Sequence, residues 1–117
     1  MKKILLGFFL LTSMLSPLIA SAKTVEHIIY QYAELIDTRS FDQLQTIMWE
    51  DFKMTGGYEI NGLNEFLGAM QQLASTYDST MHFIGNIDGN WSNNIYKGKT
   101  YCICLLYTSD AADDKQC

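Results

Sequence analysis

The chain has 117 residues, enough for one domain and not for two. Its formal charge of −5 gives it no electrostatic reason to seek nucleic acid or an anionic membrane surface, so neither is expected as a partner. Cys102, Cys104 and Cys117 crowd the C-terminal end; Cys102 and Cys104, two apart, would point the same way on a strand, which is poor geometry for bonding each other. Cys-x-Cys also offers too few ligands for zinc. Neither a disulfide staple nor a metal is expected, and no motif calls for a cofactor.

Met1-Lys2-Lys3 is followed by an apolar run from Ile4 to Ala20, and Ala20-Ser21-Ala22 has the small-x-small form of a cleavage site. A basic start, a short apolar core and such an ending read as a secretory signal peptide over residues 1–22, which places the mature chain in the periplasm or outside the cell, with no membrane contact after cleavage. An uncleaved anchor is the alternative, but the run is short for a span and Pro17 interrupts it.

Val25, Ile28, Ile29, Tyr32, Leu35 and Ile36 follow the i, i+3, i+4, i+7 spacing of an amphipathic helix, which Asp37-Thr38-Arg39 closes. Ser40 with Gln43 reads as a capping box opening a second helix, with Phe41, Leu44, Ile47 and Met48 on its buried face. Phe52 to Thr55 alternates as a strand, Gly56-Gly57 breaks it, and Tyr58-Glu59-Ile60 returns. Asn61-Gly62 caps a third helix to about Ser75, carrying Leu63, Phe66, Leu67, Met70 and Leu73 on one stripe. Thr76 to Thr80 reads as a polar loop.

A strand from Met81 to Asn90 sets His82, Ile84 and Asn86 on one face and Met81, Phe83 and Ile87 on the other. Ser92-Asn93-Asn94 signals a turn, because Asn tolerates positive φ, and Ile95 to Ile103 pairs back. From Cys104 through Asp114 the sequence resembles an in-frame translation of a transposase mosaic-end adapter. Residues 104–117 are therefore expected to be a non-native tail on a domain, 23–103, whose last strands are missing. Such an open sheet edge predicts poor solubility of the chain as it stands.

Tyr32-Ala33-x-x-x-Asp37, Phe41-Asp42-x-Leu44, Trp49-Glu50-Asp51-Phe52, Gly62-Leu63-x-x-Phe66-Leu67 and His82-Phe83-Ile84-Gly85-Asn86, in that order, resemble the SnoaL-like, nuclear-transport-factor-2-like superfamily. The resemblance implies an α+β cone, with three N-terminal helices packed on a curved, mostly antiparallel sheet around an apolar cavity, and a homodimer formed through the open sheet face. In the scytalone dehydratase branch an acidic residue ending the first helix and a strand histidine act with a bound water and tyrosines. Those two positions match Asp37 and His82. The branch's tyrosine before the acid is Ile36 here, its strand tyrosine falls near Gly56, and Tyr58, two residues on, is the nearest hydroxyl.

An imidazole side chain such as that of His82 can give or take a proton in a cavity, while Asp37 can fix its tautomer. The catalytic set expected is thus His82, Asp37 and Tyr58. Tyr32, Trp49, Phe52, Met54, Phe66, Met70, Ile84 and Asn86 are expected to line the pocket for a small apolar or cyclic molecule. The chemistry implied is cofactor-independent elimination, isomerisation or water addition. A non-catalytic binding or dimerisation module on the same fold is the rival, since fold does not fix function. For single residues the plain alternatives are a satisfied strand histidine at His82, a turn-starting carboxylate at Asp37 and ordinary core for the aromatic and Met positions.

Overall fold

The structure, a computed structural model, describes residues 24–109 and 115–116. The expected signal peptide lies outside the described residues, as do positions 110–114 and 117 of the expected tail. Among the described residues the architecture is α+β: two α-helices, a 3-10 helix, a two-stranded arm and a three-stranded antiparallel sheet built mostly from one long hairpin.

Helix α1 spans Val25–Asp37 and begins at Thr24, whose hydroxyl accepts from the His27 backbone N–H. Its end is a Schellman arrangement. The Ser40 N–H reaches back to the Leu35 carbonyl (2.9 Å), the Arg39 N–H reaches the Ile36 carbonyl (3.2 Å), and Arg39 sits at φ 61°. A left-handed arginine is an unusual choice there, and its side chain is tied down by donating from Nη2 to the Tyr77 carbonyl at 3.0 Å.

This ending corrects the expected second helix. Ser40 makes no capping bond to a backbone N–H; its hydroxyl meets that of Thr38, and Phe41–Thr46 forms a six-residue 3-10 helix. With the chain turned so sharply at Arg39, Ser40 lies outside the extended region an N-cap needs. Leu44 is nonetheless fully buried.

Strands β1 (Lys53–Met54) and β2 (Ile60–Asn61) pair antiparallel as the short arm. Helix α2 runs Leu63–Thr76, and Gly62, not an Asn61 side chain, stands at its N-cap with φ 99°. That conformation needs glycine. Glu65 instead reaches back to accept from the Asn61 N–H at 2.8 Å. Leu35, Ile36, Leu44, Ile60, Leu63, Phe66 and Met70 form the core between these pieces.

β3 (Ser79–Ser92) and β4 (Ile95–Tyr107) form the hairpin, closed by Asn93 and Asn94 at φ 50° and 62°. Two positive-φ residues make the tight turn whose twist suits paired strands, as the Asn tolerance argument anticipates. β3 begins earlier than the sequence indicates, taking Ser79 and Thr80 out of the loop. The register runs from Ser79 opposite Tyr107 to Ile84 opposite Cys102, then resumes with Ile87 opposite Thr100. Gly85 and Asn86 thus oppose Tyr101 alone, a bulge that reverses the inside–outside alternation. Thr80, His82 and Ile84 face inward, but beyond the bulge Ile87 is the half-buried residue and Asn86 is exposed. The expected grouping of Asn86 with His82 is corrected by that extra residue.

β4 continues in register past Ile103, with Cys104 and Leu106 buried, and Lys115–Gln116 (β5) pairs with Leu105 and Leu106. Cys104 is disulfide-bonded, which corrects the expectation of no disulfide. The geometric argument against a bond between Cys102 and Cys104 stands, because Cys102 is a free thiol. Among the described residues, no helix is long and apolar enough to cross a membrane.

Candidate functional site

Asp37 is the last residue of α1, and a carboxylate there meets the unfavourable end of the helix dipole. It does not cap its own turn. Its side chain instead crosses to β3, where Oδ2 accepts from the His82 backbone N–H at 2.8 Å and Oδ1 accepts from the Thr80 hydroxyl at 2.9 Å. Oδ1 also lies 2.7 Å from His82 Nδ1. The His82 and Asp37 side chains retain only 13% and 24% exposure, so solvent screens the pair weakly.

With the His82 N–H and the Thr80 hydroxyl both donating to it, the Asp37 side chain is set as an acceptor toward Nδ1 as well. It then requires the hydrogen of the neutral imidazole to sit on Nδ1, leaving a lone pair on Nε2. Among the described residues nothing hydrogen-bonds Nε2. The arrangement can therefore take a proton at Nε2 and stabilise the resulting imidazolium through Asp37.

Tyr32, on the preceding turns of α1, presents its ring edge-on to His82 (centroids 6.4 Å apart, planes at 75°) and stacks on Phe66 at 6.2 Å. Burial first, then the neighbouring Cys102 and Tyr58, pushes its phenol above the ordinary value of 10.0. The hydroxyl thus remains a donor through neutral and mildly alkaline pH. Cys102 stands opposite Ile84 on β4, diagonal to His82 on the same face. Though exposed, its thiol is pushed up by partial burial and then by the charge of Asp37.

The structure brings together Asp37, His82 and Tyr32, with Ile84 next along the strand. Tyr58 is exposed, and it approaches closely enough to disturb Tyr32. Phe66 and Met70 are buried in the core, with Phe52 and Met54 packed against it; Phe52 meets Phe66 at 5.1 Å. They support the site from beneath. Asn86 faces away for the reason given above. Trp49 is 81% exposed and, with Ile28 and Met48, edges a depression of about 760 Å3 that contains neither Asp37 nor His82.

Thr80 and Cys102 were missed as site residues. The Thr-x-His spacing was the available signal for Thr80, since strand residues two apart share a face. Cys102 needed the register of β4 against β3, which the sequence does not state.

A sequence model of the SnoaL-like domain matches residues 19–116, most of the chain. The chain belongs to the SnoaL-like domain family. As a SnoaL-like domain it has the α+β, nuclear-transport-factor-2-like cone fold, and solved structures agree. A putative scytalone dehydratase from Novosphingobium aromaticivorans superposes with a TM-score of 0.68 at 13% identity, covering 77% of this chain and 62% of that one. The chain thus spans about three fifths of that protein. ActVI-ORFA from Streptomyces coelicolor gives 0.64 at 11% identity, covering 80% and 74%, and Kfla4162 from Kribbella flavida gives 0.66 at 14%, covering 76% and 68%. No curated protein matches the sequence. At these identities the likeness is one of fold.

Proposed function

We propose that this SnoaL-like domain performs cofactor-independent acid–base chemistry on a small apolar or cyclic molecule, with His82 as the proton-transfer group and Asp37 orienting it. The observation that carries this reading is the clasp on Asp37, in which two donors hold the carboxylate 2.7 Å from His82 Nδ1 and Nε2 is left as the base. In an elimination, Nε2 takes a proton from carbon and the C–H electrons form the double bond. The departing hydroxyl leaves as water with a proton returned by the imidazolium. Tyr32, kept protonated, is the donor assigned to a substrate oxygen in this reading; the likeness to a putative scytalone dehydratase supports this class of reaction. Tyr58 contributes its hydroxyl only when the arm carrying it closes inward.

The test is turnover of hydroxylated cyclic ketones by wild type and by His82→Ala. Loss of turnover in a variant that still melts cooperatively supports the reading, and unchanged turnover removes His82 from the chemistry.

The second reading is a binding module without chemistry. It draws support from the depression beside Trp49, which lies apart from the Asp37–His82 pair. Ligand binding that Trp49→Ala abolishes and His82→Ala leaves intact would favour it.

Export through cleavage after about Ala22 is part of the proposal, checked by the mass of the secreted form. So is homodimerisation through the outer hairpin face, where Met81, Phe83, Tyr101 and Ile103 are exposed. The adapter origin of the segment from Cys104 is checked by sequencing the source DNA across that codon.

A further inference from the structure

Thr80 is the buried polar residue among the described residues, 6% exposed at the head of β3, and its hydroxyl is spent on Asp37 Oδ1. A hydroxyl in that setting is costly unless bonded, and an apolar side chain would fill the place more simply. Oδ1 already lies against His82 Nδ1. The Thr80 hydroxyl on the same oxygen therefore fixes the rotation of the carboxylate toward the imidazole.

We propose that Thr80 is a positioning residue: acting through Asp37, its hydroxyl locks His82 in the Nδ1–H tautomer and keeps Nε2 as the base. The inference rests on the function proposed above and adds a residue to it. Without the Thr80 hydroxyl, the carboxylate is free to turn away from Nδ1. The neutral imidazole can then lose its proton at Nδ1 to water and gain one from water at Nε2, where it can no longer accept one. Thr80 itself touches no substrate.

The experiment is long-range 1H–15N NMR of the His82 imidazole at neutral pH in the full chain, comparing wild type with Thr80→Val, Thr80→Ala and Thr80→Ser. No substrate is needed. Loss of one hydrogen bond to a charged group should cut the ratio of Nδ1–H to Nε2–H by about tenfold in the Val and Ala variants. Ser, which retains the hydroxyl, should hold the wild-type ratio. Ala covers the case in which Val does not fold. A wild-type ratio in either folded hydroxyl-free variant, or its loss in Ser, overturns the role of Thr80 while leaving His82 chemistry standing. Absence of the Nδ1–H form from wild type overturns both.

Discussion

The helical half and the hairpin handle their apolar residues in opposite ways. In the first, Ile36, Leu44 and Phe66 are sealed almost completely by the 3-10 helix, the short arm and α2. In the second, the face of β3 and β4 turned from α1 leaves Phe83 62% and Tyr101 67% exposed. One region is finished as a core; the other leaves an apolar face uncovered. The candidate site lies on the seam, where the last residue of α1 meets the inward face of β3. Its geometry therefore depends on how the two regions are held together.

Breaking the finished side should have the largest effect. Phe66→Ala removes the ring that supports both Tyr32 and Phe52 and should cost about 3–5 kcal/mol in urea unfolding. Asp37→Ala cuts the seam, leaving the His82 and Thr80 donors unpaired, and should cost about 2–3 kcal/mol together with loss of turnover. Gly98→Ala tests the far end of the hairpin. A Cβ there would stand 2.6 Å from both the Asp88 carbonyl oxygen and the Tyr96 ring, and the strain should cost about 1–3 kcal/mol.

Smaller effects come from pH. Because the Tyr32 value is raised in the folded chain, its contribution to stability is complete below pH 10.0. It is lost as the pH climbs through the higher folded value. Urea midpoints measured from pH 9 upward should fall, and Tyr32→Phe should remove that part of the fall. Alkylation of Cys102 should be slow below its ordinary value of 9.0, and Asp37→Asn should speed it by removing the nearby negative charge. The smallest expected change is in the monomer stability of Phe83→Ser, within about 0.5 kcal/mol. Self-association measured by sedimentation should weaken in the same variant.

The same division governs what could be read from the sequence. Helical periodicity disclosed α1 and α2, and the paired asparagines disclosed the hairpin turn, because both signals are local. His82 and Asp37 were legible as candidates through their place in the family pattern. Asn86 was misplaced because a bulge is a property of two strands, and nothing in one strand announces that its partner lacks a residue. Ser40 looked like a helix cap until Arg39 took the left-handed conformation, a choice stabilised by Tyr77 far along the chain. Thr80 read as loop, and its purpose appears only when α1 delivers Asp37 beside it.

The most direct test of the account is the tautomer of His82 in the unmodified chain at neutral pH, read from its imidazole 15N shifts. The account predicts hydrogen on Nδ1 and a bare Nε2, with the Nδ1 signature disappearing in Asp37→Asn. Hydrogen on Nε2 in the wild-type chain would contradict it, since the nitrogen assigned to accept the proton would already hold one.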